Sequence, residues 1–241
     1  RVELWDDRPR LGGRLRLAAV PPHKARYGEA CDYLEREIRK LGVDIHLNAA
    51  VTEVELDSRK PDAVILATGS VPFVPPIQGL SGGGAVLVDD VLEGRAPVGR
   101  RVAIIGGGAI GAETAHLLVE EEDREVYLIE MRDGIAVDLP QDARICLLHA
   151  FEQTPSLHQI TNAKVTAVTP ESITLERQGQ TEVVDRLDTI ILAVGARPNQ
   201  GLRPALEALG IPFLVSGDAT GPKDYVKAIY EGFVAGNTIA E

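Results

Sequence analysis

The feature that most constrains this chain is a set of glycines placed between a buried strand and a helix. Residues 101–105, Arg-Val-Ala-Ile-Ile, read as a compact apolar strand, and Gly106-x-Gly108-x-x-Gly111 follows directly. Helical spacing then runs from about Ile110 to Glu121. In such a turn the first glycine permits the tight bend and the second lets the backbone approach a pyrophosphate. The third, with Ala115 four residues on, lets helix and strand pack closely. Gly108, Ala109 and Ile110 open the helix, whose free N–H groups and partial positive charge favour phosphates. The next strand starts at Glu125 and ends at Glu130. An acid there accepts hydrogen bonds from the 2′- and 3′-hydroxyls of an adenosine ribose and repels a 2′-phosphate, which favours NADH over NADPH. Arg132, two residues on, could instead receive a 2′-phosphate and leaves NADPH open. The same glycines would also fit an ordinary turn before a helix. Here strand, glycines, helix, second strand and terminal acid agree on a dinucleotide site, NAD(H).

Composition narrows the rest. With 241 residues, 44% hydrophobic and 25% charged, the chain can bury a core without disulfides. A net charge of −11 argues against nucleic acid and against an anionic membrane surface as partners. No apolar run approaches the ~20 residues that span a bilayer. The two cysteines, Cys31 and Cys146, form no C-x-x-C pair. They suit a reducing cytoplasm and are expected in the core as small hydrophobes. The five histidines, at 23, 46, 116, 149 and 158, lack metal-ligand spacing, so no metal is expected. Arg1 leads straight into an apolar-alternating run, as expected of a fragment of a longer polypeptide.

Along the chain, Val2–Trp5 reads as a strand and residues 22–41 as an amphipathic helix stopped by Gly42. Residues 43–47 and 51–56 read as strands, and residues 62–67 as a buried strand running into Thr68 and Gly69. Residues 71–100 are rich in Pro and Gly and read as a crossover between domains. A helix is expected from about Pro140 to Phe151, a β-meander from Lys164 to Arg186, and a buried strand from Thr189 to Val194 that ends at Gly195. A last strand, 211–215, ends at Gly217 and Asp218, and a helix from about Tyr225 to Ala240 closes the chain. This order implies an α/β fold with a mostly parallel sheet. The stretches 67–70 and 194–197 echo each other, each ending an apolar strand with a glycine, as expected of two related nucleotide-binding units.

Leu11-Gly-Gly-Arg-Leu, Ala67-Thr-Gly-Ser, the glycine fingerprint, Val194-Gly-Ala-Arg-Pro-Asn and Ser216-Gly-Asp-Ala occur in one order. This set resembles the FAD/NAD(P)-binding region of the pyridine-nucleotide disulfide-oxidoreductase superfamily. The stretches Asp90-Val-Leu-Glu-Gly-Arg and Ala228-Ile-Tyr-Glu-Gly-Phe make it similar to the C-terminal part of NADH:flavin oxidoreductases of the enoate reductase and 2,4-dienoyl-CoA reductase type. The resemblance implies two Rossmann-like, three-layer ββα units, one inserted in the other. An FAD-binding domain would comprise 1–75 and 196–241, a crossover 76–100, and an NAD(H)-binding domain 101–195. It further implies that Asp6 holds the FAD ribose and that Gly12 and Gly13 lie near the flavin phosphates. Thr68 and Gly69 would pack beside FAD, Gly195 would sit by the cofactors, and Gly217 with Asp218 would bind the ribityl chain. Taken alone, Asp218 reads as a strand-end turn or N-cap aspartate; its place in the ordered set of motifs favours the ribityl role.

The first FAD-binding strand with its glycine loop, the FMN-bearing barrel and the iron–sulfur segment of that family have no counterpart among these residues. FAD binding by this chain is therefore open. The barrel with FMN belongs to the remainder of the same enzyme or to a separate redox subunit. No C-x-x-x-x-C pair is present, so dithiol chemistry is not expected. No side chain is assigned as catalytic. Glu113, inside the fingerprint helix, reads equally as a group near the nicotinamide and as a solvated helix residue. Glu120–Asp123 reads as an exposed helix end and Trp5 as a packing residue. The leading expectation is an oxidoreductase that binds NADH and passes hydride to FAD. A non-redox NAD or ADP module and a self-contained NADH oxidase or ferredoxin reductase-like enzyme are the alternatives.

Overall fold

The structure, a computed structural model, describes residues 1–121, 123–222 and 224–239. Glu122 of the expected acidic helix end and Ala240 of the expected last helix lie outside them. The described residues divide into two compact units. One comprises Leu17–Ala25 and Pro72–Gly195, the other Arg1–Arg16, Arg26–Val71 and Ala196–Glu241.

The first unit is built on a five-stranded parallel sheet, in the order Val86–Leu87, Thr189–Leu192, Arg101–Ile105, Glu125–Ile129, Leu157–Ile160. Its strands are apolar on both faces because both faces are covered. Val102, Ile104, Val126 and Leu128 pack against Ala112, Ala115 and Leu118 of the helix Ala109–Glu120 and against Leu147 and Phe151 of the helix Gln141–Glu152. Ala103, Ile105, Ile129, Ile190 and Leu192 point the other way, onto Val165, Ile173, Leu175 and Val184 of an antiparallel meander. The meander strands are Ala163–Thr169, Ser172–Arg177 and Gln180–Val184. This is the expected three-layer ββα arrangement. Side chains such as Ile104, Leu128 and Ile191 are fully buried, each stabilising by roughly 2–3 kcal/mol. The Pro- and Gly-rich stretch after residue 71 adds the short edge strand Val86–Leu87 and the helix Val88–Leu92 to this unit. Two strand residues are too few to show a period. Leu17, from the excursion Leu17–Ala25, joins the helix-side core.

The other unit carries three two-stranded pairings. Glu3–Trp5 runs parallel to Asp44–His46, and Val64–Leu66 runs parallel to Phe213–Val215. Ala196–Pro198 pairs with Ser70–Pro72. The helix Arg26–Lys40 buries Cys31, and Leu56, Leu66 and Leu206 form a small core. Residues 51–56, expected as a strand, instead lead into the helix Glu53–Arg59. The reason is a capping box. The Thr52 hydroxyl accepts from the Glu55 N–H while the Glu55 carboxylate accepts from the Thr52 N–H, satisfying helix-start donors that alternation alone does not weigh. A helix over Arg203–Leu209 was not anticipated and is ended by Gly210. Trp5 is a packing residue, stacked on His46 at 4.1 Å with the Arg59 guanidinium 4.3 Å from its ring centroid. Cys146, expected in the core, is exposed on its helix.

Candidate functional site

In the five-stranded unit the fingerprint forms the turn that sequence spacing called for. Gly106 has φ +106°, and its N–H donates to the Ile129 carbonyl at 2.8 Å, tying the turn to the neighbouring strand. A Cβ on Gly106 would overlap the Ala193 carbonyl, and one on Gly111 would overlap the Gly106 carbonyl. Only glycine allows this closeness of helix and strand. Gly108 is the N-cap of the helix, and Ala109 and Ile110 are its first two residues. The first turn of a helix leaves its N–H groups without intrahelical acceptors. The Asp138 carboxylate takes that of Ala109, at 2.8 Å.

Glu130 stands at the carboxyl end of the neighbouring strand and is 5% exposed. Its Oε2 accepts from the Gly107 N–H at 2.8 Å. Its Oε1 accepts from the Arg132 N–H at 2.9 Å and from Arg132 Nε at 3.1 Å. Burial pushes this carboxyl up, but the Arg132 and Gly107 N–H groups and the Arg132 guanidinium together outweigh it and hold it below the usual range. The acid is thus charged and preformed, and it fastens the glycine loop to the adjoining strand end. The strand expected to run to Val194 stops at Leu192; Gly195 lies three residues on, and its carbonyl accepts from the Phe73 N–H at 3.0 Å.

One partnership was invisible in the sequence. Glu113, buried one turn into the fingerprint helix, pairs with Lys24 of the excursion Leu17–Ala25. The pairing excludes the solvated-helix reading of Glu113. No spacing rule links residues 89 apart.

The flavin-directed positions fall in the other unit. Asp6 follows the strand Glu3–Trp5 and accepts from the Arg8 N–H at 2.9 Å. Burial pushes its carboxyl up, partly offset by that donor. Gly12 and Gly13 make the turn into a short helix. A Cβ on Gly12 would stand 2.8 Å from Cys31 Sγ, so packing alone demands glycine there. Burial raises the Cys31 thiol as well. Thr68–Gly69 and Gly217–Asp218 leave the carboxyl ends of two paired parallel strands, with Leu66 opposite Val215, the end at which open α/β sheets bind ligands. Ser70 Oγ lies 3.2 Å from Asp218 Oδ2, and the Thr68 hydroxyl donates to the Asn199 carbonyl. The Gly217 N–H is taken by Glu231 at 3.0 Å. The first unit has a glycine turn, a helix start and a charged acid together, the groups that dinucleotide binding calls for. The second unit brings its ligand-directed groups to strand ends, where several are satisfied by neighbours.

The family profile described as pyridine nucleotide-disulphide oxidoreductase matches residues 57–221. This chain belongs to that family. As a member of it, the chain shares the family's association with NAD(P)H and flavin. Among curated proteins it is 35% identical over 239 residues to a bilirubin reductase of Mediterraneibacter gnavus, covering 99% of this chain and 37% of that protein. It is 32% identical to an NADH oxidase of Thermoanaerobacter brockii, covering 96% of this chain and 36% of that protein. The structure of a 2-naphthoyl-CoA reductase superposes with a TM-score of 0.90 at 24% identity, over 98% of this chain and 36% of that one. That likeness supports the fold. The chain spans little more than a third of the length of these relatives. Among the described residues no helix is long and apolar enough to cross a membrane.

Proposed function

We propose that this chain is the pyridine-nucleotide-binding and flavin-binding part of an NADH:flavin oxidoreductase of the enoate reductase type. In this reading NADH binds at Gly106, Gly108, Ala109, Ile110, Gly111 and Glu130 and reduces FAD held by Asp6, Gly12, Gly13, Thr68, Gly69, Gly217 and Asp218. The observation that carries the reading is the fingerprint turn with a charged, buried Glu130 at the adjoining strand end. Glu130 receives a ribose hydroxyl and disfavours a 2′-phosphate. The helix-start N–H groups hold the phosphates. Lys24, from the segment Leu17–Ala25, pairs with Glu113 of the fingerprint helix and ties the two together. FAD, when bound, supplies the two-electron acceptor for hydride. An FMN and an iron–sulfur centre, in the remainder of the same enzyme or in a separate redox subunit, would take those electrons on. Two free thiols suit a reducing cytoplasm.

A second reading, a non-redox nucleotide module, draws on one observation. The Gly12 turn is explained by Cys31 and the Gly217 N–H by Glu231, so these groups are satisfied without a flavin. The deciding experiment is an absorbance spectrum of the purified chain, with FAD added and then NADH. Bleaching of the visible flavin band with stoichiometric NADH oxidation supports the oxidoreductase. NADH binding without flavin reduction supports the nucleotide module, and a folded chain that binds no NADH overturns both.

A further inference from the structure

The segment after Glu130 folds back over the glycine loop. The Ala136 N–H donates to the Gly107 carbonyl at 2.7 Å, and Ile135 and Ala136 are buried against the loop. Ala136 takes the left-handed conformation, φ +52°, that this reversal requires. The fold-back delivers one carboxylate to the helix start. Asp138 Oδ1 accepts the Ala109 N–H at 2.8 Å, and its two oxygens lie 3.2 and 3.6 Å from where a Cβ on Gly108 would stand. Gly108 and Ala109 are the positions at which the fingerprint reading seats a phosphate. Both face the same resident anion.

A helix start offers few donors and one region of positive potential, so two anions placed there compete. We propose that Asp138 is a built-in competitor for the phosphates of the bound dinucleotide. Its carboxylate holds the Ala109 N–H in the free chain and yields it to the ligand, which lowers nucleotide affinity and speeds release. The inference rests on the nucleotide reading above. Asp138 is exposed, so its side chain can turn to solvent without disturbing the core. Its partner segment stays fixed through the buried Ile135 and the Arg144 Nε bond to the Ile135 carbonyl at 2.8 Å.

The test measures ADP binding by calorimetry on the whole 241-residue chain, which needs no redox chemistry. Asp138→Asn removes the charge and keeps an acceptor for the Ala109 N–H. Asp138→Ser removes the charge and shortens the side chain, so that neither charge nor reach remains to hold the Ala109 N–H. Both variants are expected to bind ADP about three- to thirtyfold more tightly than wild type at low salt. That advantage is expected to shrink at high salt, where the lost repulsion is screened. Unchanged or weaker ADP binding in either folded variant overturns the role of Asp138 while leaving the nucleotide site standing. A folded wild-type chain that binds no ADP at all sinks the nucleotide site and the competitor with it.

Discussion

Glu130 has more partners than its place in the fingerprint suggests. A carboxylate offers about four acceptor directions, and three are taken by the Gly107 N–H, the Arg132 N–H and Arg132 Nε. The direction left on Oε2 suits one ribose hydroxyl, and the charge it carries makes that bond a strong one. Glu130→Ala is therefore expected to weaken NADH binding by about tenfold, the scale of one hydrogen bond to a charged group. It also frees Arg132, so NADPH should lose less affinity than NADH or gain some. Parallel titrations of the two nucleotides check this, and an equal loss for both would assign Glu130 to loop structure alone. A pH effect follows from the same contacts. The folded carboxyl lies below its ordinary value, so its stabilisation is present above the unfolded value of about 4.3. It is lost as pH falls through the folded value. Melting curves across the acid range should fall less steeply for Glu130→Gln than for wild type. Glu130 was legible in the sequence because an acid ending the strand after a fingerprint has a geometric reason to be there. Lys24 and Asp138 were not, because each meets the fingerprint through a fold-back that no local spacing encodes.

At the scale of elements, the fingerprint helix is held by more than its apolar face. Its Glu113 meets Lys24 with side-chain exposures of 10% and 25%. Glu113→Gln leaves the ammonium partly buried without its counter-charge and should cost about 1–3 kcal/mol, less than a fully buried pair because Lys24 keeps some solvent. The double change Lys24→Met with Glu113→Leu removes both charges and should recover a good part of that loss. Denaturant titrations of the single and double variants read the coupling directly, and additive effects would show that the pair does not hold the excursion to the helix. Elements were legible where a strong period met a clear stop. The strands Arg101–Ile105, Glu125–Ile129 and Thr189–Leu192 are apolar runs beside glycine or acid. The helix Glu53–Arg59 reads as a strand in sequence because Val54 and Leu56 alternate with Glu53 and Glu55, while the Thr52–Glu55 capping box decides the conformation. The edge strand Val86–Leu87 and the helix Arg203–Leu209 are short enough that tertiary packing, rather than pattern, sets them.

For the molecule as a whole, the two units differ in how well each is built to stand. The unit with the fingerprint buries both faces of a five-stranded sheet, with Val102, Ile104, Val126 and Leu128 on one face and Ala103, Ile105, Ile129 and Ile190 on the other. The other unit rests on two-stranded pairings and a buried cluster of Leu56, Leu66 and Leu206. Its last helix, Tyr225–Ile239, leaves Val226, Tyr230 and Phe233 more than half exposed. Two-stranded sheets are marginal without further cover, and chains of two units need not unfold in one step. Heating the chain should therefore give two transitions, the lower from the unit containing Glu3–Trp5 and Val64–Leu66. A ligand stabilises only the unit that binds it, by about 2.7 kcal/mol at a hundredfold excess over Kd. ADP should thus raise the upper transition and leave the lower one in place, whereas FAD should act on the lower. Calorimetry reads the transitions, and hydrogen exchange assigns them through the amides of 101–105 and 125–129. A single transition that moves as a whole with ADP would show that the two units unfold together, and the argument from their separate cores would fail.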